Sequence, residues 1–366
     1  MTIATRTHSA AHQPWLLALG ALALLACGGC LKRLHGNGPP DQKDMVITDT
    51  DRTAVIDALA TALHQQYVFP DKAELIDRAL HDHLQRGDYA NASSAAGFAE
   101  TLTEHIAAVA HDKHLEVRYF ERPIEPTGGD QPPEMVADEN AEQLYNNHGV
   151  FEVRRIRFNL GYLKLHMFGR PEQATDKLAA AMRLLHDSRA LIVDLRDCGG
   201  GDPETVTLAE SYLVPASTHL IDMYTRVGDV TEHVAAKADL TGPRYPAGNP
   251  VFILIGEDTG SGCEAFAYTL QAQKRATVIG ARSAGAANFG DPHRLTAHFM
   301  AFVPVGRPID PITRSNWEGV GVTPDLAVAE DKALDVAERR CLQLILALEH
   351  KPSRREAIGK RIAELE

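Results

Sequence analysis

The sequence predicts an α/β fold preceded by a block of helices. Three observations carry this. First, short continuous apolar runs such as Ala190–Asp194 and Val251–Ile255 fit buried strands and are too short for helices. Second, these runs alternate with helix-period segments, as a sheet covered by helices requires. Third, the stretch from Asp49 to Ala110 carries apolar residues at helical spacing and no strand-like run.

Taken in order, Val55, Leu59, Leu63 and Tyr67 recur every four residues, and Pro70 ends that helix. Leu75, Ala79 and His83 mark the face of a second helix. Gly87 to Ser94 is a break, and Phe98, Leu102, Ile106 and Val109 mark a third helix. Leu115 to Tyr119 extends as a strand. Residues 123–140 are rich in proline, glycine and acid and read as a surface linker or flap. Val150–Arg157 and Leu160–Met167 form a strand pair around Asn159, and Gln173–His186 is an amphipathic helix. Strand 190–195, helix 203–213, strands 219–225 and 251–255, helix 262–273, and strands 276–279 and 295–303 follow. The expected organisation is a leader over 1–26, a tether over 27–48, a helical domain over 49–120, a linker over 121–148, a main domain over 149–349 and a charged C-terminal tail over 350–366. The tail reads as a solvated terminal helix.

Composition narrows the function. The 366 residues suffice for two units with real cores. A hydrophobic content of 44% and a charged content of 23% are ordinary for a globular protein. With 37 basic and 49 acidic residues the net charge is −12, which argues against nucleic acid, since phosphate binding needs a basic face. No spacing of the five cysteines suggests zinc, and no metal or organic cofactor is implied.

Two segments carry chemistry. Val251–Ile255 runs through Gly256–Gly260 into Ser261 and then a helix. Ser261 therefore sits at a strand–turn–helix junction, where the amide of Gly262 has no intrahelical partner. A hydroxyl beside a free amide suits acyl transfer; taken alone, Ser261 reads as an ordinary helix N-cap. The second segment is Asp194-Leu-Arg-Asp-Cys-Gly-Gly-Gly201, a buried strand running into three glycines. Its amides can approach a ligand closely, as a second oxyanion donor or as a plain tight turn. Neither the P-loop nor the dinucleotide-binding glycine pattern surrounds it.

Together with Val109-Ala-His-Asp-Lys-His-Leu-Glu-Val-Arg-Tyr119, Asn159-Leu-Gly-Tyr-Leu163 and Asn316-Trp-Glu-Gly-Val-Gly-Val-Thr-Pro-Asp325, these segments resemble the C-terminal processing (tail-specific) serine peptidases. The branch they resemble is the interphotoreceptor retinoid-binding protein-like and tricorn-core-like one. The order of motifs matches over roughly residues 50–340. The resemblance implies a crotonase/Clp-type ββα superhelix as catalytic domain, a small helical domain before it and no PDZ domain. It implies a peptide or protein substrate, hydrolysed by Ser261 with the amides of Gly262 and of Gly200 or Gly199 as oxyanion hole. The tail-specific branch places a lysine base about 25 residues after the nucleophile; that position is Ala286, and no lysine occurs between Lys274 and Lys332. The histidine branch instead uses an Asp-x-His motif, supplied by Asp112-Lys113-His114. His114 is the expected general base. Among 17 histidines, nothing but the resemblance singles it out.

The orienting partner implied by the tricorn core is Glu318, acting through a serine that directly precedes the histidine. Lys113 stands there, which interrupts that relay and leaves Asp112 as an alternative. Arg226 is a candidate for a substrate carboxylate, with a surface role as the plainer reading. The resemblance also implies a rival class, since retinoid-binding relatives use this fold to bind apolar ligands: a periplasmic binding protein for apolar ligands or peptides with little or no turnover.

The N-terminus reads as a leader. Arg6 precedes the apolar run Trp15–Ala26, and Leu24-Leu-Ala-Cys27 resembles a lipoprotein signal with Cys27 as the lipidated residue. Such a chain is anchored on the periplasmic side of a bacterial membrane without spanning it, or is otherwise periplasmic or secreted. Cys27 and Cys30 lie in this processing region, which excludes a redox reading of their C-x-x-C form. If the family geometry holds, the loops bearing Cys198 and Cys263 face each other. A disulfide there is then the oxidised alternative to two separate buried thiols, and separate thiols are the expectation.

Overall fold

A computed structural model describes residues 42–92, 94–125 and 140–366. The leader, Cys27, Cys30 and most of the tether and linker lie outside the described residues. Among those described, no helix is long and apolar enough to cross a membrane.

Three helices open the described chain: α1 (Asp49–Gln66), α2 (Pro70–Arg86) and α3 (Ala95–Ala110). Thr48 starts α1 through a capping box with Asp51, each residue satisfying the other's amide. Pro70 occupies the first turn of α2, where a missing amide proton costs nothing. The buried face of α2 is Ala73, Ile76 and Leu80; Leu75, on the face expected from the sequence, is exposed. Both stripes have helical spacing, and the one that meets Leu59, Leu63, Phe98 and Leu102 is the one buried.

A six-stranded sheet forms the centre. Its strands are β2 (Val150–Ile156), β3 (Leu160–Leu165), β4 (Ala190–Asp194), β7 (Val251–Ile255), β8 (Thr277–Gly280) and β11 (Leu326–Ala327), in the order β11-β8-β7-β4-β3-β2. All neighbours are parallel except the β2–β3 hairpin. Helices cover both faces, which explains why β4 and β7 read as unbroken apolar runs. Leu191, Val193, Ile253 and Ile255 face the helices α4 (Pro171–Leu185), α5 (Pro203–Ser211) and α6 (Ser261–Ala272). Ile192, Phe252 and Leu254 alternate to the other face, against α7 (Ala333–Leu348). The C-terminal segment forms a helix, α8 (Pro352–Glu364), which packs on that same face through Ile358 and pairs Arg361 with Glu338 of α7.

The second sheet is antiparallel. It contains β1 (Glu116–Tyr119), β5 (His219–Thr225), β6 (Val230–Ala235), β9 (Phe289–Arg294) and β10 (Phe299–Ile309), ordered β1-β10-β5-β6 with β9 also on β10. The strand expected over 295–303 is corrected here. Residues 295–298 turn between β9 and β10, with the Leu295 amide donating to the Phe299 carbonyl at 2.8 Å. The strand β9 was hidden because Gly290, Asp291 and Pro292 are turn-type residues; a proline is tolerated where a strand pairs on one side only. Phe299, Ala301 and Val303 of β10 share the core of the three helices, so helices and sheet are packed as one unit.

Candidate active site

Ser261 is the first residue of α6 and has φ 48°, the left-handed region that a non-glycine residue rarely adopts. Holding a serine there costs on the order of 1–3 kcal/mol, which the surrounding contacts must sustain. Those contacts are visible. Thr259 is fully buried; its hydroxyl donates to the Leu195 carbonyl at 2.7 Å and accepts the Gly256 amide at 2.9 Å. The Gly260 amide donates to the Cys198 carbonyl at 2.9 Å. Cys198 and Cys263 are joined in a disulfide, which corrects the expectation of separate thiols. The loops after β4 and β7 are thus held against each other from both ends.

The glycine loop closes on Ser261. A Cβ on Gly200 would lie 2.8 Å from the Ser261 Cβ, and Gly200 has φ +137°, so only glycine fits. The two candidate donors in this loop differ. The Gly199 amide donates to the His166 carbonyl at 3.3 Å, whereas no acceptor among the described residues takes the Gly200 amide. The Gly262 amide is likewise without an acceptor among the described residues, as expected in the first turn of a helix.

Glu264, which sequence reasoning passed over, organises this end of the site. Its buried carboxylate accepts the Ser261 and Ala286 amides at 2.9 Å each, the Gly285 amide at 2.6 Å and the Ser283 hydroxyl at 2.5 Å. Burial pushes the carboxyl up to about 7, while the four donors pull it back toward the charged form. The position where a lysine base would stand, Ala286, is fully buried and spends its amide on Glu264 and its carbonyl on the Trp317 indole.

His114 lies just before β1 in a second buried cluster. Polar atoms of Asp112, His114 and Glu318 lie within 4.8 Å of one another. Asp112 accepts the His114 amide at 3.1 Å, the Tyr67 hydroxyl at 3.1 Å and the Asn288 side-chain amide at 2.8 Å. Glu318 accepts the Ala287 and Asn288 amides at 2.6 and 2.9 Å. The Lys113 backbone amide also bonds Glu318, so the residue before the histidine reaches this glutamate through its main chain rather than a hydroxyl. Burial, reinforced by the charge of Asp112, pushes Glu318 up to about 7. Burial lowers the His114 pKa, against an upward pull from Asp112.

One segment links the two clusters. The amides of Gly285 and Ala286 bind Glu264, and those of Ala287 and Asn288 bind Glu318. Four consecutive amides therefore divide between two glutamates, the buried Glu264 tied to Ser261 and the half-buried Glu318 beside His114. Lys113 Nζ holds the same segment through the Ala284 carbonyl at 2.5 Å. Arg226 takes no part: its guanidinium bonds the Tyr67 and His64 carbonyls at 2.7 and 2.9 Å, closing the C-terminal end of α1.

The family model for Peptidase family S41 matches residues 159–328, and that for the N-terminal domain of Peptidase_S41 in eukaryotic IRBP matches residues 43–151. The chain belongs to peptidase family S41. A carboxy-terminal-processing protease of Bartonella bacilliformis is 26% identical over 191 residues, 48% of this chain and 40% of that protein. This S41 chain therefore spans well under half the length of that relative. Among solved structures, a lipoprotein from Streptococcus agalactiae superposes with a TM-score of 0.55 at 13% identity, covering 79% of this chain and 96% of that one. Mature CPAF superposes with a TM-score of 0.54 at 12% identity, covering 78% and 94%. These likenesses concern the fold, which is the S41 fold with a small N-terminal helical unit. The residues between β1 and β2 are too few to add a PDZ domain.

Proposed function

We propose that this S41 chain is a serine peptidase in which Ser261 is the nucleophile and His114 the general base. Ser261 Oγ attacks a peptide carbonyl as its proton passes to the His114 imidazole. The amides of Gly262 and Gly200 stabilise the oxyanion; the Gly199 amide is already engaged, which favours Gly200. The imidazolium then protonates the leaving amine, the C–N bond breaks, and water hydrolyses the acyl-enzyme. Asp112, which holds the His114 main-chain amide and raises the imidazole pKa, and Glu318 beside it stabilise the imidazolium that forms. Cys27 as lipid anchor, and export to the periplasmic side of a membrane, belong to this reading as proposals from the leader sequence.

The observation that carries the reading is the pairing of a serine at φ 48° with a glycine that its own Cβ excludes from being anything else. Strain of this kind recurs at activated nucleophiles, because it exposes the hydroxyl at the head of a helix. The test is hydrolysis of a peptide panel by wild type and by Ser261→Ala and Gly200→Ala. Turnover that survives Ser261→Ala refutes the assignment.

A further inference from the structure

The hairpin of β5 and β6 carries a second group of histidine and carboxylate side chains, unrelated to the site above. Asp222 stands directly opposite His233 in the register of the two strands. His219 Nε2 and His233 Nδ1 lie 2.6 and 2.5 Å from the same oxygen, Asp222 Oδ1. The two imidazoles meet edge to face, with ring centroids 5.4 Å apart. All three donor atoms lie within 4.8 Å of one another.

Local geometry explains how they converge. Residues 219 and 222 are three apart, and in a regular strand they point to opposite faces. The register shifts between His219 and Ile221, where two residues of β5 oppose one step of β6. This bulge turns His219 onto the face of Asp222; bulges commonly re-aim a side chain in this way. Asp222 is nearly buried at 12% side-chain exposure, whereas His219 and His233 are 43% and 71% exposed. A fixed carboxylate is thus flanked by two imidazoles that are free to adjust.

We propose that His219, Asp222 and His233 form a binding site for one divalent transition-metal ion, with zinc the best match. Two nitrogens and one carboxylate oxygen are the donors that zinc takes, and they disfavour calcium or magnesium. Zinc–ligand bonds of about 2.0–2.1 Å set donor atoms roughly 3.3 Å apart in a tetrahedron. The two N–O separations therefore open by less than about 1 Å, which exposed histidine side chains accommodate. A solvent water completes the shell, so the ion is exchangeable. The site is tied to the nucleophile helix: Gln273, which caps the C-terminal end of α6, donates from its side chain to the His219 carbonyl at 2.8 Å.

The test uses the full chain without an affinity tag, stripped by chelator, and titrated with Zn²⁺ against a chromogenic competitor. Wild type and His114→Ala are expected to bind one ion with the same affinity, because the hairpin site does not involve His114. His233→Ala and Asp222→Asn are expected to bind it at least about tenfold more weakly. His81→Ala, in a separate His–Asp cluster of α2, controls for surface histidines. His233 is exposed, so its variant keeps the fold, which circular dichroism checks. The proposal is overturned if wild type fails to compete for zinc, or if His233→Ala and Asp222→Asn bind as tightly as wild type.

Discussion

Removing the Cys198–Cys263 bridge separates the two things it does. The bridge closes a loop of sequence separation 65. In the chain-entropy description such a loop restricts the unfolded chain by about 14 cal/mol/K, or about 4 kcal/mol at 25 °C. The double variant Cys198→Ala/Cys263→Ala is therefore expected to unfold at lower urea concentration, with a loss of up to about 4 kcal/mol, and with a larger m-value as the unfolded chain expands. Its loops stay apposed, because the Gly260–Cys198 main-chain bond and both Thr259 contacts do not involve sulfur. Urea unfolding followed by far-UV circular dichroism measures the loss, and peptide mapping without reductant verifies the 198–263 link. A stability change below about 1 kcal/mol would show that the bridge does not restrict the unfolded chain in this way, and free alkylation of both thiols in the wild type would show that the bridge is absent.

Gly200→Ala places a Cβ 2.8 Å from that of Ser261 at φ +137°, so kcat is expected to fall at least about 100-fold, read by steady-state hydrolysis. Ser261→Gly relieves the strain at φ 48° that Ser261→Ala retains, so thermal unfolding should find the glycine variant more stable by about 1 kcal/mol. The pH profile has two parts. Burial holds His114 neutral to below its ordinary 6.5, so protonation of the base contributes only a limb beneath that value. Glu318 gains its charge near 7, and kcat/KM should rise with pH through that point; in Glu318→Gln the rise shrinks to the part that Glu264, also pushed up to about 7, contributes, while the lower limb stays.

The local part of this site was legible in the sequence. An apolar strand, a glycine turn and a serine at a helix start are contiguous in the chain, and so are the three glycines after β4. The fold class followed from the same runs, since strands buried on both faces cannot alternate with polar residues. What was not legible depends on distant backbone. Glu264 and Glu318 acquire their roles from amides at 285–288, and Tyr67 and Asn288 reach Asp112 from far along the chain. Amides leave no trace in residue identity. The face of α2 was misread because two apolar stripes fit one helix and only tertiary packing chooses. Likewise, the partnership of Cys198 with Cys263 rests on β4 and β7 being adjacent in the sheet, a pairing that periodicity does not specify. For Arg226 the sequence offered a substrate carboxylate or, more plainly, a surface role; its partners, carbonyls at the end of α1, lie about 160 residues away and leave no local signal.

Peptidase activity at this site requires that Ser261 is activated and that His114 activates it. Labelling by a fluorophosphonate probe, on wild type beside Ser261→Ala and His114→Ala, tests it most directly. Wild type is expected to be labelled, and each substitution to abolish labelling while the fold persists. Folded wild type that stays unlabelled across pH 6–9, or labelling that survives His114→Ala, would contradict it; the first result would point to a binding protein built on the S41 fold.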